Sequence, residues 1–132
     1  MNKYEPDRSS LLDGKLQSND IVLFRYADVL LMQSEALVRQ GLDGNAPLLR
    51  VRQRAGAPAK DATLDAILEE RLVELAWEGW RRQDLVRFGK FTRAYDFREP
   101  IEGEDNGYTM VFPIPDNVIL FSGNNISQNF GY

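Results

Sequence analysis

Apolar residues recur at helical spacing from about Tyr26 to Gln40, where Ala27, Leu30, Leu31, Ser34, Leu37 and Val38 share a face. Val29, Met32 and Ala36 widen that face, so the spacing predicts a central helix, stopped by Gly41. A second helix is predicted from about Ala46 to Arg54, with Asn45 as its cap, Pro47 in its first turn, and Gly56 and Pro58 beyond its end. Thr63 reads as the cap of a third, with Asp65 near the positive end of its dipole. Leu64, Leu68, Leu72, Leu75 and Ala76 form one apolar ridge of this helix, Val73, Trp77 and Trp80 a second, and Gly79 breaks or bends it. A short fourth helix, about Arg82 to Phe88, turns Leu85, Val86 and Phe88 inward and ends at Gly89. Before all of these, Ile21 to Phe24 is either a strand or the lead-in to a helix.

After Gly89 the periodicity fades. Nine of the fourteen aromatic residues lie between Arg87 and Tyr132, among Gly, Asn and Pro. Thr109 to Phe112 reads as a short strand at most, and Pro113 and Pro115 forbid a regular element after it. The segment reads as a long irregular wrap over the helices, anchored by Phe112, Ile114, Ile119, Leu120, Phe130 and Tyr132. The fold class is therefore mainly α: about four helices packed as hairpins like those of tetratricopeptide repeats, though without a 34-residue period, and an aromatic-rich C-terminal wrap. One domain is expected over residues 1–132, made of an irregular opening (1–20), a helical core (21–89) and the wrap (90–132).

The polar positions carry a second pattern. Glu70, Glu74 and Glu78 are spaced i, i+4, i+8 on the third helix, and like charges at that spacing repel by roughly 0.2–0.5 kcal/mol per pair. Such a stripe calls for cations packed against it. Arg50 and Arg82 also offer charge in these segments, and the residues placed in contact are Arg71, Arg81 and Arg87 in the same stretch, Arg52 and Arg54 on the preceding helix, and Arg25 and Asp28 at the start of the first. With Asp84, these residues are predicted to form an Arg/Glu lattice that joins the helices. Twelve of the sixteen basic residues are arginine, a bias that favours fixed, forked pairing with carboxylates.

Composition narrows the function. A net charge of −4 argues against a nucleic-acid footprint. Cysteine and histidine are both absent, which excludes disulfides, thiolate nucleophiles, His-based triads and zinc sites built on either residue. No apolar run is long enough to cross a membrane as a helix. Paired carboxylates serve glycosidases, but one of the pair needs a raised pKa, and interleaved arginines act in the opposite sense. The carboxylates are therefore read as structural, with no catalytic or metal-binding residue and no cofactor.

Four blocks, in order, resemble the C-terminal part of the SusD/RagB family: Arg25-Tyr26-Ala27-Asp28-Val29-Leu30-Leu31 with Glu35-Ala36; Val51-Arg52 and Arg54-Ala55-Gly56; Glu70-Arg71, Glu74-Leu75, Glu78-Gly79, Arg81 and Asp84 to Arg87; and Phe112-Pro113-Ile114-Pro115 with Gln128 to Tyr132. The resemblance extends over nearly the whole chain from Tyr4. It implies a non-catalytic, lipid-anchored protein on the outer membrane of Bacteroidetes-type bacteria, which captures glycans or other nutrients for a TonB-dependent transporter. Family members begin with a secretion signal, a lipidated cysteine and a long helical N-terminal region. This chain is accordingly read as a C-terminal portion that supplies a scaffold.

Flat rings stack on the apolar faces of sugars while nearby polar side chains bond the hydroxyls. Trp80, Tyr95, Phe97 and Tyr108 are the rings that helical packing explains least, and they are the candidate ligand contacts. The alternative function is a helical protein-interaction module with no sugar ligand.

Overall fold

The computed structural model describes Lys3, residues 20–123 and residues 125–132; the rest of the predicted opening segment lies outside the described residues. The described chain is mainly helical, with no strand assigned. Helix α1 (Tyr26–Arg39) is followed by α2 (Asn45–Arg54), α3 (Leu64–Glu74), α4 (Arg81–Arg87) and α5 (Asp116–Phe121). Leu30 and Leu31 of α1, Leu48 and Val51 of α2 and Ile67 of α3 form the core, with Phe88 packed against it. Three helices meet there because each turns one apolar stripe toward the other two.

The α1–α2 hairpin closes tightly. The Ser34 hydroxyl donates to the Gly44 carbonyl at 2.8 Å, and a Cβ on Gly44 would lie 2.7 Å from the Ser34 carbonyl oxygen. Gly44, rather than Asn45, flanks the start of α2. Asn45 is spent differently: its side-chain oxygen accepts from the Ala62 N–H at 2.7 Å and ties the α2–α3 connection. Thr63 does cap α3, accepting from the Ala66 N–H.

Helix α3 ends at Glu74, short of Gly79. Trp77 adopts φ +67° and Gly79 φ +79°, so the chain turns sharply between α3 and α4. The apolar ridge expected at Val73, Trp77 and Trp80 is therefore not formed, since Val73 and Trp77 are exposed and Trp80 is half-buried. Ile21 to Phe24 is an irregular, exposed lead-in rather than a strand.

The tail also departs from expectation. Tyr108–Met110 is a 3-10 turn where a strand was expected, and Pro115 precedes the short helix α5. Proline can stand beside a helix start because the first helical N–H groups have no intrahelical partner. Phe112, Leu120, Phe130 and Tyr132 are exposed, with Ile114 and Ile119 half-buried. The tail is held instead by its own polar groups. The Gln128 amide accepts from the Ile114 N–H at 2.7 Å and donates to the Ile114 carbonyl at 2.8 Å, as a neighbouring strand would. Prolines on either side of Ile114 leave it the one N–H donor of Pro113-Ile114-Pro115.

Candidate functional site: an arginine–carboxylate network flanked by exposed rings

Charged side chains from α1, α3 and α4 meet in one chain of ion pairs. Arg71 donates through Nη1 to Asp28 Oδ1 at 2.7 Å and through Nε to Asp84 Oδ2 at 2.8 Å, with all three residues buried. Arg87 donates to Asp84 Oδ1 at 2.9 Å and pairs with Glu35, which also accepts from Arg39 Nε at 2.7 Å. Glu35 enters the sequence reading only through the family resemblance and not through the predicted lattice, although it stands seven residues after Asp28 and so shares its face of α1. Burial pushes its carboxyl pKa up, but the hydrogen bonds from Arg87 and Arg39 outweigh that, leaving it below the usual carboxylate range.

A second group sits at the end of α3. Arg25 Nη1 donates to Glu74 Oε1 at 2.8 Å, Arg25 Nε to Glu78 Oε2 at 3.0 Å, and Arg54 Nη2 to Glu74 Oε2 at 2.5 Å. Arg25 Nη2 and Lys3 Nζ both reach the Glu74 carbonyl, at 2.7 and 2.6 Å, so cations stand at the negative end of α3. Glu78 is not a third rung of the helical stripe; the turn after α3 carries it to Arg25. Its pKa is pushed up by burial and pulled down further by hydrogen bonds from Arg25 and Lys3, for a net lowering. Arg52 pairs with Glu70. Arg81 stands apart from both groups, 3.4 Å from Asp96. Among the described residues, no group of three or more acidic side chains is placed to hold a metal ion.

The candidate rings are scattered. Trp80 is half-buried, its ring centroid 5.9 Å from that of Phe24. Tyr95 lies 6.2 Å from Phe91 with the Arg98 guanidinium over it, and Tyr108 packs edge-on to Tyr132 at 5.5 Å. Phe97 alone of the four is fully exposed, at the tip of a tight turn whose flanks pair backbone to backbone between Tyr95 and Arg98. That loop is fixed from beneath by Glu104, 1% exposed, which pairs with Arg98 and accepts from the Ile101 N–H and the Thr109 hydroxyl. Trp77, assigned to a buried ridge by its spacing, is 87% exposed.

Several clefts open beside these groups, among them one of about 230 Å³ lined by Arg25, Arg54, Glu74 and Glu78. One of about 450 Å³ runs between α1 and α4, walled by Phe24, Met32 and Trp80 over Asp28, Arg71 and Asp84. Another of about 340 Å³ lies against Trp77, Trp80 and Arg81. A further one, of about 360 Å³, is bounded by Arg25, Tyr26, Arg50 and Arg54.

Comparison with known proteins agrees with this architecture. The profile of the SusD family matches residues 2–132. The starch-binding protein SusD of Bacteroides thetaiotaomicron is 35% identical over 98% of the chain, and a SusD-like protein of Formosa agariphila 36% identical over 70%. The chain spans about a quarter of the length of these relatives, 24% and 21%. The solved structure of surface glycan-binding protein A from B. thetaiotaomicron superposes on 88% of the chain with a TM-score of 0.74 at 30% identity, covering 26% of that protein. Its complex with laminarihexaose superposes on 86% with a TM-score of 0.73 at 29% identity, covering 25%.

Proposed function

The chain belongs to the SusD family, and on that premise we propose that it is the scaffold portion of a non-catalytic, surface-exposed glycan-binding protein acting with a TonB-dependent transporter at the outer membrane. The observation that carries the reading is the fold it shares with a quarter of a surface glycan-binding protein solved in complex with laminarihexaose. The electrostatics fit a structural role for Glu35 and Glu78, whose carboxyls burial pushes up and hydrogen bonds from neighbouring cations nonetheless draw below the usual carboxylate range. In this reading the ion-pair network keeps the helices in register while rings on the surface meet the sugar. Phe97, carried on a braced loop, is the contact best placed to stack.

The test is a thermal melt of the 132-residue chain across a panel of neutral and acidic oligosaccharides. A ligand at about 100 times its dissociation constant stabilises by about 2.7 kcal/mol, so one sugar class should raise the melting temperature by several degrees. A melt that no oligosaccharide moves would overturn sugar contact by this chain's own rings and leave it the scaffold role alone.

One observation favours a second reading. Phe24, Val29 and Met32 on the α1 side, and Phe112, Leu120, Phe121 and Phe130 in the tail, are large apolar side chains left in water. Apolar surface of that extent suits a protein partner. A partner bound through it would associate without sugar, and Met32→Lys would weaken that association.

A further inference from the structure

The cleft between the start of α1 and the end of α2 has a different chemistry from its neighbours. Arg25, Arg50 and Arg54 line it, with Tyr26 and the apolar Leu30 and Val51, and no carboxylate is among its lining residues. Glu74 and Glu78 stand behind Arg25 and Arg54 and are already engaged by them and by Lys3. Arg50 is exposed and has no carboxylate partner among the described residues, whereas most described arginines do. Its guanidinium lies 5.4 Å from the centre of the Tyr26 ring, a stacking contact that positions the group without using its N–H donors. Tyr26 is itself 63% exposed, so its ring is open to a ligand. On a chain of net charge −4 this is a locally positive hollow beside an open ring, within the roughly 300–1,000 Å³ range of small-molecule sites.

We propose that this cleft is a subsite for an anionic sugar residue, with Arg50 forking onto its carboxylate or sulfate and Tyr26 stacking on the pyranose face. The inference rests on the glycan-binding reading and deepens it by naming the substrate class. A forked guanidinium matches the two oxygens of an anionic group in a way a point charge does not, so Lys at position 50 is a poor substitute. A neutral glucan gives Arg50 no charged partner and gains little from the cleft.

The experiment is calorimetric titration with a galacturonic acid hexamer, a sulfated but carboxylate-free galactan hexamer, and neutral laminarihexaose. Each is run at about 0.01 M and about 0.15 M ionic strength, where the screening length falls from roughly 30 to roughly 8 Å. An acidic hexamer should bind at least about tenfold more tightly than laminarihexaose at low salt, and weaken at the higher salt. Arg50→Gln should remove about tenfold of that affinity, Arg50→Lys should recover only part of it, and Tyr26→Ala should weaken the same ligand. Arg50 is exposed, so its variants should melt with the parent chain. Binding of the uronate alone or of the sulfated sugar alone, if lost in Arg50→Gln, supports the subsite and identifies the source of its charge. Equal binding of neutral and acidic hexamers, or acidic binding indifferent to Arg50→Gln, overturns the subsite and leaves the glycan reading standing. No binding by any of the three overturns the subsite, while the glycan reading stands or falls by the wider oligosaccharide panel.

Discussion

Arg71 joins three elements of the helical core through one buried side chain. It is 3% exposed and holds Asp28 and Asp84 from two other elements, with no solvent to replace it. Removing one partner of a buried pair costs about 3–5 kcal/mol, because the remaining charge stays desolvated. Arg71→Met is expected to destabilise by that order in urea unfolding, and Arg71→Met combined with Asp28→Asn and Asp84→Asn to recover much of it. Equal stability of the single variant and the parent would contradict the network's role. Glu104 gives a test in pH. Hydrogen bonds from Arg98 dominate its environment, burial opposes them, and the Ile101 N–H and Thr109 hydroxyl add to the lowering, placing its pKa at about 2 against 4.5 for an ordinary glutamate. A folded-state pKa below the unfolded one contributes stability above the unfolded value and loses it as pH falls through the folded one. The hydrogen-exchange protection factors of residues 95–110, taken relative to the intrinsic rate at each pH, should therefore be high at neutral pH and fall between about pH 4.5 and about pH 2. In Glu104→Gln that step should vanish. Neither residue announced its role equally in the sequence: Arg71 lies in a charged helix beside Glu70 and Glu74, whereas Glu104 and Arg98 sit in a loop with no period to relate them.

At the level of elements, helix positions were legible because apolar spacing and caps agree locally, as Thr63 and Gly41 show. What was not legible was which groups the third dimension would claim. Asn45 has the chemistry of a cap, yet its oxygen is taken by the Ala62 N–H seventeen residues on. The spacing of Val73, Trp77 and Trp80 suits a buried ridge, but α3 ends at Glu74, and Trp77 takes a left-handed conformation that few non-glycine residues adopt. Gly44 brings α1 and the start of α2 into close approach. Its φ of −94° suits any residue, so the constraint is contact alone: an added Cβ would meet the Ser34 carbonyl at 2.7 Å and the Val38 methyl Cγ2 at 2.8 Å. Gly44→Ala must spread the α1–α2 hairpin and is expected to destabilise by about 1–3 kcal/mol, the usual cost of overpacking. A melting temperature equal to that of the parent would show that the hairpin can give way.

Across the whole molecule, the mainly helical class and the assignment to a family were readable from the chain, since both rest on ordered patterns of residues. The environment of its surfaces was not, because an apolar side chain looks alike in sequence whether it is covered or left in water. The tail illustrates this. Its rings suggested anchors, and several stand exposed while Gln128 and Asn129 hold the backbone by side-chain hydrogen bonds. The ion-pair network also bears on the order of events as the chain folds. Its pairs join residues far apart in sequence: 43 positions separate Asp28 from Arg71, 52 separate Glu35 from Arg87, and 53 separate Arg25 from Glu78. The apolar core also joins distant residues, Leu31 and Ile67 among them, but it tolerates loose geometry where ion pairs do not, so the charges are expected to meet late, with their removal speeding unfolding more than it slows refolding. Interactions absent from the transition state act on escape from the native state rather than on arrival at it. The arginines thus work as a latch, slowing the opening of a structure that the leucines have already assembled.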